Sequence, residues 1–182
     1  NSTTFGLTTT SSVLYVKNAF GALDTIFVLG GTTVADKVTF AYCDGFVESS
    51  ASGYTYKFYV GGEAKNYLFS TDPKPTKGDI GSIDVDKDGY ATFVPFTSTP
   101  SDSDNYDIAA PTLTVATVDE GYFVIDNVVY YFGDDKVDCP VYNVKFGGNG
   151  AAATLARGDK VKIVIDEGST TDKIAYVVYI VG

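Results

Sequence analysis

The chain has 182 residues, enough for one large β domain or two small ones, and its 45% hydrophobic and 20% charged content is that of a folded globular protein. Its formal net charge of −10 repels nucleic-acid phosphates and anionic membrane leaflets, which argues against nucleic acid as a partner. It contains no His, the side chain around which common catalytic triads and proton shuttles are built, so the chain is read as no enzyme.

Fourteen Tyr and twelve Phe without Trp, alongside much Val, Thr and Ile, favour pleated strands. No stretch of eleven or more residues has the spacing of an amphipathic helix; residues 151–157 could form one short turn. A start at Asn1 and the lack of any Met read as a processed or excised fragment. The longest apolar run, Ile174 to Val181, falls far short of the roughly 18 residues that span a bilayer, so no membrane insertion is expected.

In chain order, the first predicted element is a hairpin over Val13 to Leu29, with Asn18 and Gly21 in its turn. A second hairpin joins Tyr54–Val60 to Lys65–Phe69 through Gly61-Gly62. Tyr54, Tyr56 and Phe58 alternate along its first strand and share a face. Such a stripe either stacks on a sugar ring or fills a small core.

A Gly78-Asp79 step then introduces a third hairpin, Ile80 to Phe96, which turns at Asp86 to Gly89. Asp84, Asp86, Asp88 and Gly89 match the start of a calcium-binding EF-hand loop, but Pro95 stands where its bidentate Glu would be, and a plain turn is the simpler reading. Residues 97–111, rich in Ser, Asp and Pro, read as a linker. Asp102, Asp104, Asn105 and Asp107 within it could gather oxygens around Ca²⁺ or simply be solvated. No cofactor is expected, with Ca²⁺ as the alternative.

Beyond the linker the order recurs: Gly121–Ile125, Asp126-Asn127, Val128–Phe132, then Gly158-Asp159 and a closing hairpin over Val161 to Val181. Tyr130, Tyr131 and Phe132 form the aromatic counterpart of the earlier stripe. A longer connection, 133–157, carries the strand-like Pro140 to Phe146 and the loop 147–150. The expected fold is all-β, with two tandem small β-barrel or β-sandwich units related by a degenerate internal repeat: residues 1–97 with the N-terminal hairpin, a linker at 98–111, and residues 112–182. Tyr90 to Phe96 and Ile174 to Val181, apolar on nearly every residue, are expected to be central or covered on both faces. Cys43 and Cys139 read as free thiols; a disulfide would need their Cα atoms within about 7 Å.

The Gly-Asp steps and their hairpins, KGDIGSIDVDKDGYATFVPF and RGDKVKIVIDEGSTTDKIAYVVYIV, with DNVVYYFGDDKVDCPVYNV ahead of the second, resemble the repeat regions of S-layer-type and S-layer-homology-domain surface proteins of Gram-positive bacteria. That resemblance implies an extracellular setting at the cell surface or cell wall. It also implies a structural or spacer module whose partners are neighbouring domains of the parent protein. An adhesin-type module, binding cell-wall or host glycans through Tyr54, Tyr56, Phe58 or Tyr130, is the alternative. No functional residue is carried over from the family, because a strand-and-turn pattern names a fold and not a site.

Overall fold

The computed structural model describes residues 12–17, 23–29, 38–96, 106–109, 112–133, 139–146, 148–166 and 173–182. Among them it contains strands and no helix. The chain divides into two compact units, 1–38 and 39–182. The first holds β1 (Ser12–Lys17) and β2 (Leu23–Leu29), an antiparallel hairpin running from Ser12↔Leu29 to Lys17↔Leu23. Its predicted turn residues, Asn18 and Gly21, lie outside the described residues. The hairpin forms a two-stranded sheet of its own within the unit 1–38.

In the second unit β3 (Phe40–Ser50), β4 (Gly53–Val60) and β5 (Glu63–Phe69) form an antiparallel meander. The free side of β3 takes β6 (Ile80–Val85), which returns as β7 (Ala91–Pro95). A parallel bridge between Leu68 and Tyr90 brings the far end of the sheet back to β5. The five strands therefore curl into a small barrel.

The same circuit is drawn again downstream. β9 (Leu113–Thr114) and β10 (Thr117–Asp119) are the halves of one bulged strand, the first paired with β14 (Lys160–Asp166) and the second with β11 (Tyr122–Ile125). β11 turns into β12 (Val128–Phe132), and β14 into β15 (Lys173–Ile180). The parallel pairing of β12 with β15 closes the circle. In both halves the cyclic order is third, second, first, fourth and fifth strand, with the third and fifth parallel. This is the connectivity of the OB-type Greek-key barrel.

Local chemistry explains why both halves take this path. Gly61-Gly62 and Asp126-Asn127 all have positive φ, between 49° and 86°, the left-handed backbone of a two-residue hairpin turn that suits Gly, Asn and Asp. Phe58 and Phe123 occupy the same place relative to those turns, and each is fully buried.

The Gly-Asp steps act alike as well. Gly78 N–H donates to the Cys43 carbonyl at 2.8 Å while Cys43 N–H donates to the Asp79 carbonyl at 2.8 Å; Gly158 and Asp159 do the same with Val115 at 2.8 and 2.9 Å. Both glycines have positive φ, 96° and 92°. Each Asp carboxylate accepts the N–H three residues upstream, Thr76 at 2.7 Å and Ala156 at 2.8 Å, and so ties the loop that delivers the fourth strand. The first strand bulges beside Cys43 in one barrel and is interrupted at Val115 and Ala116 in the other. That lets one strand serve both sides of a small barrel.

Each barrel has its own core. Ala41, Cys43, Tyr56, Phe58, Val60, Phe69, Ile83, Ala91 and Phe93 fill the first. Val115, Phe123, Ile125, Tyr130, Leu155, Val161, Ile163, Val178 and Ile180 are among those filling the second.

Two expectations need correction. β7 is not covered on both faces: Ala91 and Phe93 point inward while Thr92 and Val94 are exposed, so the strand alternates. The segment read as a linker also ends in structure, since β8 (Tyr106–Ile108) pairs antiparallel with β14. β15 does meet its expectation, because β13 (Val141–Asn143), supplied by the long connection, pairs parallel with it beyond the reach of β12.

Val178→Asp, at a fully buried position, should destabilise the protein by about 3 kcal/mol or more, whereas Val94→Asp on the exposed face of β7 should stay within about 0.5 kcal/mol of wild type. Chemical denaturation of both variants checks the difference.

Candidate functional site

The barrels of the second unit meet along a row of tyrosines. Tyr42 and Tyr59 belong to β3 and β4, Tyr142 to β13 and Tyr179 to β15. Tyr42 packs against Tyr179 with ring centroids 5.3 Å apart, and against Tyr59 at 6.3 Å; Tyr142 lies 6.0 Å from Tyr179. Tyr42, Tyr59 and Tyr179 are all buried. On a strand whose alternate residues fill the barrel, these rings face outward, and the other barrel covers them.

Polar contacts cross the same boundary. Lys162 Nζ donates to the Gly78 carbonyl at 2.6 Å, so the ammonium of one barrel caps the Gly-Asp loop of the other. Tyr59 Oη donates to the Gly148 carbonyl at 3.2 Å. Gly150 must be glycine here, since a Cβ would lie 2.3 Å from the Tyr59 ring. Burial pushes the Tyr179 phenol far above its ordinary range, and its hydroxyl has no partner among the described residues.

Beside this boundary lies an open cleft of about 240 Å³, lined by Asp44, Lys57, Tyr59, Lys77, Val144, Lys145, Phe146 and Gly148. Asp44 sits at the β3 bulge and pairs with Lys57 at 2.9 Å and Lys77 at 2.6 Å; the Tyr59 hydroxyl is 3.3 Å away. Partial burial works against ionising Asp44, but the hydrogen bonds from Lys77 and Lys57 outweigh it and its pKa is lowered. Lys145 has no acidic partner among the described residues, and Phe146 is 105% exposed, its ring free in solvent.

The residues singled out from sequence lie elsewhere. Tyr56, Phe58 and Tyr130 are core residues and Tyr54 packs half-buried against the first core, so they do not present a stacking platform. Their rings are spent on one another: Phe58 on Phe93 at 4.9 Å, Tyr130 stacked on Phe123 at 5.3 Å. Burial, and then the hydrogen bond to Asp72, push the Tyr56 phenol up to about 12.

Asp84, near the end of β6, and Asp86 and Asp88, in the turn that follows, are all exposed. The Asp86 carboxylate accepts the N–H groups of Asp88 and Tyr90, and Asp84 that of Val85, which is hairpin-turn chemistry. Among the described residues no three acidic or thiol groups converge on a metal position. Asp102, Asp104 and Asn105 lie outside the described residues, as does the side chain of Asp107. Both cysteines are free, and burial raises their thiol pKa values, Cys43 to about 11 and Cys139 to about 12.

The cleft residues went unnoticed in the sequence because they come from four separate segments. The available signal was in the strands: Tyr42 and Tyr179 extend apolar runs onto the face opposite the core, which requires a second contact surface. Set against known proteins, the chain matches no family model, and comparison with curated proteins and with solved structures finds no match.

Tyr179→Phe should leave stability unchanged or raise it by up to about 1 kcal/mol, because it deletes a buried hydroxyl without a partner among the described residues, while Tyr179→Ala should cost about 3 to 5 kcal/mol. Urea denaturation distinguishes them.

Asp44 has a folded pKa below its ordinary 3.8, so its ion pairs stabilise the protein above that pH and lose this contribution as pH falls through the folded value. The stability gap between wild type and Asp44→Asn should accordingly narrow below about pH 3.8, measured by thermal melts across a pH series. High salt should narrow it too, since both lysines are well exposed.

Proposed function

We propose that this chain is a non-catalytic structural module of a bacterial cell-surface protein, in which two fused barrels hold neighbouring domains at a fixed separation and orientation. The observation that carries this reading is the buried tyrosine contact between the barrels. Tandem domains joined only by a linker ordinarily move independently. Here Tyr42, Tyr59, Tyr142 and Tyr179, with Lys162 reaching Gly78, bury aromatic area that would otherwise be a sticky exposed face. A spacer gains from such stiffness.

The other features agree with this assignment. Tyr56, Phe58 and Tyr130, which the sequence offered as an adhesin platform, are instead buried in the cores. The acidic composition keeps copies soluble at high local density. The resemblance of the Gly-Asp hairpins to S-layer-type repeats supplies the cell-surface setting.

Backbone ¹⁵N relaxation on the full chain tests the mechanical part. The two barrels should share one rotational correlation time, and Tyr42→Ala with Tyr179→Ala should separate them into two faster values. Independent tumbling in the wild type would refute the spacer reading. Antibody labelling of intact source cells tests the location, and a signal that appears only after lysis would rule it out.

A further inference from the structure

We infer that the cleft between the barrels binds an acidic sugar, its carboxylate held by Lys77 and Lys145 and its ring resting on Phe146. The inference goes beyond the spacer assignment and shares with it only the docking of the two barrels.

The first ground is charge. The chain as a whole is strongly acidic, yet three of the cleft's lining residues are lysines and only one is a carboxylate. Asp44 is shared between Lys57 and Lys77, which leaves the ammonium of Lys145 without an acidic partner among the described residues. A local cation excess set in an anionic surface concentrates small anions at that one place.

The second ground is shape and chemistry. Phe146 is the most exposed large apolar side chain among the described residues, and it stands at the rim of this cleft. Next to lysines the exposed ring offers a flat apolar face to a ligand that is apolar on one side and charged on the other. A pyranose bearing a carboxylate has both. The Tyr59 hydroxyl, the Gly148 carbonyl and the Asp44 carboxylate supply hydrogen-bond partners for ring hydroxyls. A free aspartate or glutamate side chain would satisfy the lysines but leave Phe146 unexplained. The site is formed by both barrels, so it exists only because they are fused: Asp44, Lys57 and Lys77 come from the first, Lys145, Phe146 and Gly148 from the second.

The test is a titration of the ¹⁵N-labelled full chain with galacturonate oligomers, alongside galactose, sodium sulfate and a short polyglutamate. The expected result is chemical-shift change confined to Lys57, Tyr59, Lys77, Lys145, Phe146 and Gly148, saturating in the low-millimolar range, about 1 to 10 mM. Lys145→Ala and Phe146→Ala, both at exposed positions, should each weaken binding about five- to tenfold without changing the thermal melt, and Lys160→Ala on the exposed surface should change nothing. No localised shift at about 10 mM galacturonate oligomer would overturn the inference. So would equal affinity for sulfate, for polyglutamate or for neutral galactose, or binding that survives Phe146→Ala intact. Barrels that tumble independently would remove the spacer reading and the cleft with it, whereas a negative titration of barrels that tumble together would overturn this inference alone.

Discussion

The fold turns on a pair of reciprocal hydrogen bonds between a Gly-Asp step and the middle of a bulged strand. In each barrel the glycine donates to, and the aspartate carbonyl accepts from, a single residue of the first strand, Cys43 or Val115. Those bonds commit the fourth strand to the first strand's free side and send the fifth toward the third. Once that is set, the barrel closes and the alternating apolar residues share one interior. The glycine is required because its positive φ turns the chain into the strand, and the aspartate because its carboxylate ties the loop behind it. A two-residue step thus fixes a topology of long sequence separation.

Closure leaves each barrel with an apolar outer face that needs a cover. β15 is apolar on both sides, and a lone barrel would leave Tyr179 in water. The first barrel presents Tyr42 and Tyr59 in the same situation, and the two surfaces cover each other. The contact has glycines at its tight points, Gly62 beside Tyr142 and Gly150 beside Tyr59, where a side chain would force the barrels apart. The cleft beside the tyrosines is a consequence of this mutual burial.

Much of the local architecture was legible in the sequence. The hairpins announced themselves through turn residues able to take a left-handed backbone, and the recurrence of Gly-Asp ahead of a hairpin exposed the repeated connectivity. The tertiary closures were not legible, because nothing local marks Leu68 as the neighbour of Tyr90 or β12 as parallel to β15. β7 misled because Ala91 to Pro95 reads as nearly all apolar, whereas Val94 costs little when left exposed and Pro95 suits an open position. Tyr54, Tyr56 and Phe58 were ambiguous by nature, since the residues that build a sugar platform also build a small β core. The cleft could not be seen at all. Asp44, Lys57, Lys77 and Lys145 share no spacing and meet only after both barrels form.

Amide hydrogen exchange at four positions addresses the shared mechanism directly. If the Gly-Asp steps pin both barrels, the N–H groups of Cys43, Gly78, Val115 and Gly158 should rank among the slowest in the protein, exchanging only through global unfolding. Fast exchange at Val115 and Gly158, with protection confined to Cys43 and Gly78, would show that the second step does not repeat the first and would contradict the account of two barrels built on one plan.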